Sequence, residues 1–331
     1  MAQDTAVVIL NWNGKHLMTE FLPSVATLSQ GADVVVADNG STDGSVEWLC
    51  ENYPQVKLLT FDKNHGFAGG YNLAIETLLE YKYIILLNSD VEVTEGWVAP
   101  LKEYMQNNSD VAACQPKLKS YTDKEMFEYA GAAGGFIDKY GYPFCRGRIF
   151  NTTERDSGQY DGESKDIFWA TGAALMVERE SYLAVGGLDT DFFAHMEEID
   201  LCWRMQLKGK RISVVPQSTI YHLGGGTLAA GNPRKTYLNF RNNLFMLYKN
   251  LPLKEGKRLI FKRKLLDGIA ACMFLVKLSF GEVKSVWRAH RDFERNKHRY
   301  KNQPSENLLN KFREGDRSIV FDYYLKGKHH F

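Results

Sequence analysis

A short uncharged run, Tyr83–Leu87, is the feature that most constrains the fold of this chain. Five consecutive apolar residues are typical of a strand that is buried on both faces of a parallel sheet. The run ends abruptly in Asn88, Ser89 and Asp90. Ligands of open α/β sheets gather at the carboxyl ends of the strands, so a carboxylate there is well placed to hold a divalent cation and, through it, a diphosphate. Taken alone, these residues are equally compatible with a polar turn after a core strand.

Three further predicted strands precede this one, at residues 6–10, 34–37 and 56–60, and segments with helical periodicity separate them. Strands that alternate with helices predict a parallel sheet with right-handed crossovers, so the four loops after the strands should meet at one edge. These loops are rich in carboxylates, amides and glycines and poor in cations. A nucleotide-phosphate site with so few basic residues would need a metal ion to offset the phosphate charge. The loops are residues 11–14, 38–45, 64–72 and 88–92.

The chain beyond the fourth loop is less regular. Residues 120–165 are rich in glycine, aromatic residues and turn formers, which predicts an irregular insertion that faces a substrate. A predicted helix over residues 193–207 carries an acidic cluster that begins with Glu197 and Glu198. Residues 237–298 have helical periodicity.

Composition excludes several classes of protein. No apolar run reaches membrane-spanning length and none has the form of a signal peptide, so we expect a cytoplasmic location. The five cysteines lack the paired spacing of a zinc site or a disulfide framework, which fits a reducing compartment.

Charge is distributed unevenly along the chain. Residues 251–331 contain 19 Lys and Arg against 9 Asp and Glu, whereas residues 1–250 contain 22 against 31. A basic tail on an acidic body suggests that the tail meets an anionic membrane surface. The alternative is a helix that packs on the main domain through its apolar face. The residues that should form this face are Leu259, Leu266, Ile269, Met273 and Val276.

Four sequence blocks resemble, in order along the chain, those of glycosyltransferase family 2, and especially its bacterial rhamnosyltransferase-like members. They are residues 8–14, 36–45, 64–72 and 86–90. The acidic block within residues 186–204, and His222 with the glycines after it, resemble later elements of the family. The resemblance covers about residues 5–245 and implies the α/β class: a GT-A type, mostly parallel sheet flanked by helices, with a C-terminal helical extension.

The resemblance also implies how the chain is divided. Residues 1–236 would form the GT-A glycosyltransferase domain, with a nucleotide-sugar half over about residues 1–95 and an acceptor half over about residues 96–236. Residues 237–331 would form a basic helical extension that associates with a membrane.

The implied activity is inverting, metal-dependent transfer of a sugar, with rhamnose as the first candidate, in cell-surface polysaccharide synthesis. The partners would be a nucleoside-diphosphate sugar donor, a glycan or lipid-linked glycan acceptor, and the anionic inner face of the cell membrane; no nucleic-acid partner is expected. The alternative is a non-catalytic glycan- or nucleotide-binding protein on the same scaffold, because Asn88 and Glu198 stand where Asp is usual. A dinucleotide-dependent oxidoreductase is disfavoured, because the first strand is not followed by Gly-x-Gly-x-x-Gly.

The resemblance assigns the reactive groups by position. Asp90 and His222 would bind the divalent metal, Mn²⁺ or Mg²⁺, and a neutral imidazole suits Mn²⁺ better. Glu198 would be the catalytic base that takes a proton from the acceptor hydroxyl, with Glu197 as the competing candidate. Asp200 has a structural interpretation, an ion pair with Arg204 four residues later.

The remaining expectations concern binding. Asp38 would contact the nucleotide base, and Arg241 would reach the donor phosphates unless it is only a surface arginine; His195 is expected at the surface. Side chains on the acceptor side would be Trp169, Thr171 and Gly172. The predicted donor pocket consists of Asn11, Asn13, Asp38, Asn39, Asn64, Gly66, Phe67, Asn72, Asn88 and Arg241.

Overall fold

The computed structural model of the chain describes residues 3–224, 232–301 and 303–331. In these ranges the chain forms a large mixed sheet flanked by helices, a small second sheet and a C-terminal helical region. The strands are β1 (Thr5–Asn11), β2 (Asp33–Asp38), β3 (Lys57–Thr60), β4 (Tyr83–Leu87), β5 (Val91–Val93), β6 (Val111–Ser120), β7 (Gly135–Ile137), β8 (Pro143–Cys145), β9 (Arg148–Ile149), β10 (Thr152–Thr153), β11 (Lys165–Asp166), β12 (Ala174–Glu178) and β13 (Arg211–His222). The helices are α1 (Lys15–Leu28), α2 (Ser45–Asn52), α3 (Gly66–Thr77), α4 (Val98–Asn107), α5 (Arg179–Ala184), α6 (Glu197–Leu207), α7 (Pro233–Asn250), α8 (Leu253–Val276), α9 (Phe280–Asn296) and α10 (Ile319–Lys326), with short 3₁₀ turns at Thr190–Phe192, Lys297–Arg299 and Arg313–Asp316.

The large sheet has the strand order β11-β13-β6-β12-β4-β1-β2-β3, and β5 pairs with β13. Strands β4, β1, β2 and β3 are parallel, so the loops that follow them share one edge. Strand β12 lies antiparallel between β4 and β6, which makes the sheet mixed. The predicted α/β class is confirmed, and the parallel strands come from the first 95 residues, except for β13 beside β6.

The central strands are buried on both faces, as their apolar runs predict. Along β1, Ala6 and Val8 pack into one hydrophobic cluster, whereas Val7 and Ile9 pack into the other. All five residues of β4 are buried. Because successive side chains of a strand point to opposite faces, an uninterrupted apolar run is needed at such a position.

The insertion over residues 120–165 contains more structure than the sequence predicts. Its short strands β7 to β10 form an antiparallel sheet in the order β10-β9-β8-β7. Strands of two or three residues are too short to give a periodic pattern, which explains why the sequence predicts an irregular segment. The C-terminus packs here, with the Phe331 ring 5.6 Å from that of Phe136 and 5.9 Å from that of Phe144.

Only part of the predicted apolar face of the basic helix α8 is buried. Leu259 is buried, at 9% exposure, whereas Ile269, Met273 and Val276 are 59%, 41% and 84% exposed. One side of α8 therefore packs on the protein and part of the apolar side does not. In the ranges that the structure describes, no helix combines the length and hydropathy that crossing a bilayer requires.

Candidate active site

Side-chain hydrogen bonds join the loops after β1 and β2. Asn11 donates from Nδ2 to Asp38 Oδ1 over 3.0 Å, and Asp38 Oδ2 accepts from the backbone N–H of Ser41 at 2.9 Å. Asn13 has a left-handed backbone, with a φ of 50°, and its Oδ1 accepts from the backbone N–H of Thr42 at 2.7 Å. Asn11 and Asp38 are 1% and 2% exposed, so they fix the shape of both loops from beneath.

The loops after β2 and β3 are joined in a similar way. Asn39 donates from Nδ2 to Asn64 Oδ1 over 3.1 Å, and Asn64 Oδ1 also accepts from the N–H of Gly66 at 2.7 Å, where α3 begins. Gly40 has a φ of +74°, and a methyl carbon added to it would lie 2.7 Å from the backbone of Lys63. Only glycine fits this approach. The structure thus brings together six of the predicted donor-pocket residues: Asn11, Asn13, Asp38, Asn39, Asn64 and Gly66.

His222 lies between two buried carboxylates. Its Nε2 is 3.1 Å from Asp90 Oδ1 and 3.4 Å from Asn88 Nδ2, while its Nδ1 is 3.3 Å from Glu128 Oε1. Burial alone would lower the pKa of His222, but the two carboxylates outweigh burial and raise that pKa to about 10. Because the carboxylates flank opposite nitrogens, they do not form a cage, and in the described ranges no group of three or more His, Cys, Asp or Glu side chains forms a complete metal site.

Glu128 is a site residue that the sequence analysis missed. It lies in the segment predicted as an irregular insertion, far along the chain from His222, and it is 5% exposed. The one available signal was its place between two aromatic residues, Phe127 and Tyr129. A lone carboxylate in an apolar stretch tends to be buried only when it is paired.

Glu197 and Glu198 begin α6 with carboxylates that are not fully satisfied. The Oε2 atom of each is buried and has no hydrogen-bond partner among the residues that the structure describes. Burial raises the pKa of Glu198 to about 7. Burial, together with the neighbouring Glu198, raises the pKa of Glu197 well above its ordinary value. A carboxylate poised near neutral pH can accept and release a proton under working conditions.

Gly172 connects this acidic pair to the donor side of the sheet edge. A methyl carbon added at Gly172 would lie 3.7 Å from Glu198 Cβ and 3.7 Å from Phe67 Cζ. The next residue, Ala173, accepts a hydrogen bond from the backbone N–H of Asn88 at 3.0 Å, just beyond the end of β4. The glutamate pair and the strand end that leads to Asp90 therefore lie at the same edge of the sheet.

The segment before α6 is strained and is held by one buried amide. Phe193, His195 and Met196 have positive φ values of 66°, 69° and 75°, a conformation that non-glycine residues rarely adopt. Asn242 of α7 is 0% exposed and donates from Nδ2 to three carbonyl oxygens of this segment, at distances between 2.8 and 2.9 Å. Asn242 thereby fixes the direction in which α6 starts.

Arg241 contacts the turn that precedes α6. Its guanidinium donates from Nη2 to the carbonyl oxygens of Asp191 and Phe192, at 2.9 and 3.0 Å, and from Nε to Asn242 Oδ1 at 2.9 Å. These contacts bind Arg241 to the turn before α6, and its Nη1 lies 3.4 Å from the hydroxyl of Tyr237. Contact of Arg241 with the donor phosphates stays a prediction.

Three further side chains predicted to contact ligands are packed inside the protein. Trp169 is 3% exposed and its indole N–H donates to a backbone carbonyl oxygen at 2.9 Å, so it belongs to the core and not to an acceptor surface. Thr171 is 2% exposed. Asn72 donates to the carbonyl oxygen of Leu188 at 2.8 Å and accepts from the hydroxyl of Tyr182 at 2.5 Å, which anchors the chain before the acidic block.

Two side chains near the acidic pair, Asp200 and His195, have different environments from that of the pair. Asp200 is 0% exposed and binds Arg204 at 2.7 Å and Lys249 at 2.9 Å, so the predicted ion pair with Arg204 is confirmed. His195, expected at the surface, is half-buried; burial, assisted by Lys235, lowers its pKa to about 4.

The sheet order and the cluster at its edge define a glycosyltransferase of the GT-A fold. Two solved structures share the fold. GalNAc-T7 with UDP, GalNAc and Mn²⁺ matches with a TM-score of 0.58 and 17% identity, over 75% of this chain and 48% of that one. The mannosyltransferase PcManGT of Pyrobaculum calidifontis, in complex with GDP-Man and Mn²⁺, matches with a TM-score of 0.54 and 14% identity, over 88% and 87%.

The chain belongs to Glycosyl transferase family 2, whose model matches residues 6–172. Among curated proteins, it is similar to the N-acetylglucosaminyl-diphospho-decaprenol L-rhamnosyltransferase of Mycobacterium tuberculosis (strain CDC 1551 / Oshkosh). The two are 28% identical over 227 residues, which is 63% of this chain and 72% of that protein.

Proposed function

We propose that this glycosyltransferase moves a sugar from a nucleoside-diphosphate donor to a hydroxyl of a glycan or lipid-linked glycan, with inversion at the anomeric carbon. The observation that carries the proposal is the pair of buried, unpartnered carboxylate oxygens of Glu197 and Glu198 at the donor edge of the sheet. Rhamnose is the first donor sugar to test and a diphosphate-linked lipid the first acceptor, because the similar mycobacterial protein is named for both.

Glu198 acts as the base in this proposal. Its carboxylate takes the proton of the acceptor hydroxyl while the acceptor oxygen forms a bond to the anomeric carbon. The bond from that carbon to the diphosphate oxygen breaks, and the diphosphate leaves with the electron pair. Glu198 is favoured over Glu197 because its Cβ and the Cζ of Phe67, a predicted donor-pocket residue, would each lie 3.7 Å from a methyl carbon added at Gly172.

The chemistry of the residues at the end of β4 fits a divalent metal. Asp90 Oδ1 and His222 Nε2 face each other over 3.1 Å, with the Asn88 amide beside them. Because the two carboxylates raise the pKa of His222 to about 10, its Nε2 would have to release a proton on binding a metal. A cation that is bound largely through substrate phosphates needs only one or two protein ligands, and a nitrogen ligand favours Mn²⁺ over Mg²⁺. When bound, the metal would stabilise the charge on the departing diphosphate. Glu128, on the other ring nitrogen, would orient His222.

The donor nucleotide would lie over the hydrogen-bonded loops after β1, β2 and β3. Asn11 and Asp38, which are buried and hydrogen-bonded to each other, would shape the loop beneath the nucleotide base. A lipid-linked acceptor would bring the enzyme to the inner face of the membrane, as a peripheral cytoplasmic protein. The boundary between a catalytic domain at residues 1–236 and an extension at residues 237–331 stays a prediction.

The proposal is tested by incubating the protein with a panel of nucleotide sugars, Mn²⁺ and a diphosphate-linked lipid acceptor, and by measuring released nucleoside diphosphate and product. Wild type should turn over at least one donor, and Asp90→Ala should lose most of that activity. Glu180→Gln, on the exposed start of α5, is the control and should behave as wild type. Binding of a donor without turnover by any of the three proteins would favour the non-catalytic alternative.

A further inference from the structure

The end of the hairpin formed by α8 and α9 is apolar and unburied. Residues 268–280, called the tip below, contain a single charged side chain, Lys277. None of these residues is buried, and Val276, Leu278 and Phe280 are 84%, 73% and 62% exposed. Of the 17 large hydrophobic side chains exposed in the described ranges, ten belong to α8, α9 and the turn between them. Clustered exposed hydrophobic side chains mark interaction sites, so a partner is expected to cover the tip.

The hairpin is firmly anchored up to the point where the tip begins. Arg263 donates to Asn243 Oδ1 of α7 over 2.6 Å, and its guanidinium lies 3.6 Å from the centre of the Tyr142 ring. Asp267 binds Arg263 at 3.3 Å and His290 of α9 at 3.0 Å. Arg263 and Asp267 are 2% and 0% exposed. The tip is therefore the projecting end of a clamped helix pair.

Exposed basic residues surround the tip on both helices. The acidic residues of the hairpin do not balance this charge, because residues 253–296 contain 11 Lys and Arg against 5 Asp and Glu. Of these five, Asp267 is buried in its ion pairs and Glu294 binds Lys264 at 2.6 Å. At 1.5 Å per residue, Lys264 and Lys284 lie about 6 Å along the helix axes from the two ends of the tip. That spacing matches the depth of roughly 5–10 Å to which interfacial helices bury their apolar side. The basic residues, called the collar below, are Lys254, Lys257, Arg258, Lys262, Lys264, Lys284 and Arg288.

We infer that the tip inserts into the surface of an anionic phospholipid bilayer while the collar binds the lipid phosphates. An anionic bilayer has an apolar layer beneath a layer of negatively charged phosphates. The apolar tip would lie in the first layer and the basic collar in the second. Trp287, at 60% exposure, lies within the collar, between Lys284 and Arg288 of α9, and aromatic residues are enriched at membrane interfaces. The inference extends the proposed function, because a lipid-linked acceptor would lie in the same surface.

Vesicle co-sedimentation of the full-length protein tests this inference. Vesicles of phosphatidylcholine, with and without phosphatidylglycerol, are mixed with wild type, with the double variant Val276→Glu/Leu278→Glu, and with Leu79→Glu. Leu79 is 72% exposed and lies outside the hairpin, so it is a matched control. Wild type and Leu79→Glu should bind phosphatidylglycerol vesicles, and the double variant should bind at least about tenfold more weakly. Added salt should weaken wild-type binding.

Equal binding by wild type and the double variant, or no binding by wild type, would overturn the inference. A second result would also overturn it: wild type is a dimer in sedimentation velocity, the double variant is a monomer, and wild type does not bind lipid. In that case a second copy of the chain would cover the tip. Donor hydrolysis in solution, measured on the same proteins, tests the proposed function separately. Lipid binding without donor hydrolysis would support the membrane inference and contradict the catalytic proposal.

Discussion

Substituting Glu198 with Gln is expected to abolish transfer and to stabilise the protein at the same time. Gln has nearly the shape of Glu but cannot take a proton from the acceptor hydroxyl. General-base catalysis contributes about 10²- to 10⁴-fold to a rate, so kcat should fall by that factor while donor affinity stays nearly unchanged.

The gain in stability follows from the pKa of Glu198, which is about 7 in the fold and ordinarily 4.5. A carboxyl group with a raised pKa stays protonated in the folded state while the unfolded chain already releases its proton. The free energy of unfolding therefore falls as pH rises from about 4.5 to about 7, by up to about 3 kcal/mol at about 1.4 kcal/mol per pH unit. Gln removes this loss, so the variant should be more stable than wild type at about pH 8 and equal to it at about pH 4.

Urea unfolding at both pH values, together with single-turnover kinetics, measures the two effects. Glu197→Gln is the competing variant, and the exposed Glu180→Gln is the control that should change neither quantity. A Glu198→Gln protein that keeps its transfer rate while Glu197→Gln loses it would move the base to Glu197. A Glu198→Gln protein that is less stable at about pH 8 would refute the argument that burial of the charge is costly.

Three other outcomes are expected. The wild-type kcat/KM should rise with pH through about 7, because Glu198 must be ionised to act as base; a flat profile between about pH 5.5 and 8 would exclude it. Glu128→Gln should weaken Mn²⁺ binding by about 10- to 100-fold in calorimetry, because the amide holds the imidazole of His222 less firmly; unchanged affinity would remove Glu128 from the site. Asn242→Ala should lower kcat more than donor affinity. It should also lower the free energy of unfolding by about 2–4 kcal/mol, because three carbonyl oxygens lose their hydrogen-bond donor. A loss of stability without a change in kcat would make Asn242 purely structural.

The parallel half of the fold could be predicted from the sequence because its signals are local. The apolar run at Tyr83–Leu87 coincides with β4. The predicted first strand, residues 6–10, matches β1, which extends one residue further at each end. A strand buried on both faces must be apolar throughout, and its end must be marked by polar loop residues. The meeting of these loops then follows from parallel topology alone.

The parts that sequence could not supply depend on contacts between distant segments. Nothing near Glu128 indicates that its carboxylate meets His222, since the contact exists only after the insertion folds over β13. Trp169 was expected on the acceptor side because the family has a similar block there, yet its indole N–H donates to the carbonyl oxygen of Phe136 from another segment of the chain. The partial burial of the apolar face of α8 also depends on contacts between distant segments. Helical periodicity identifies an apolar face, but it does not show which part of that face packs on the protein.

The start of α6 gives the clearest physical reason to regard its glutamates as reactive. Three left-handed residues and two unpartnered carboxylate oxygens there each cost on the order of 1–3 kcal/mol. Asp200, on the next turn of the same helix, is also buried but binds Arg204 and Lys249. The fold can therefore satisfy a carboxylate at this place, whereas within residues 3–224, 232–301 and 303–331 the Oε2 atoms of Glu197 and Glu198 find no hydrogen-bond partner. Asn242 meanwhile holds the strained segment in position. A group kept strained and unpaired among well-paired neighbours is better explained by a role with substrate than by packing.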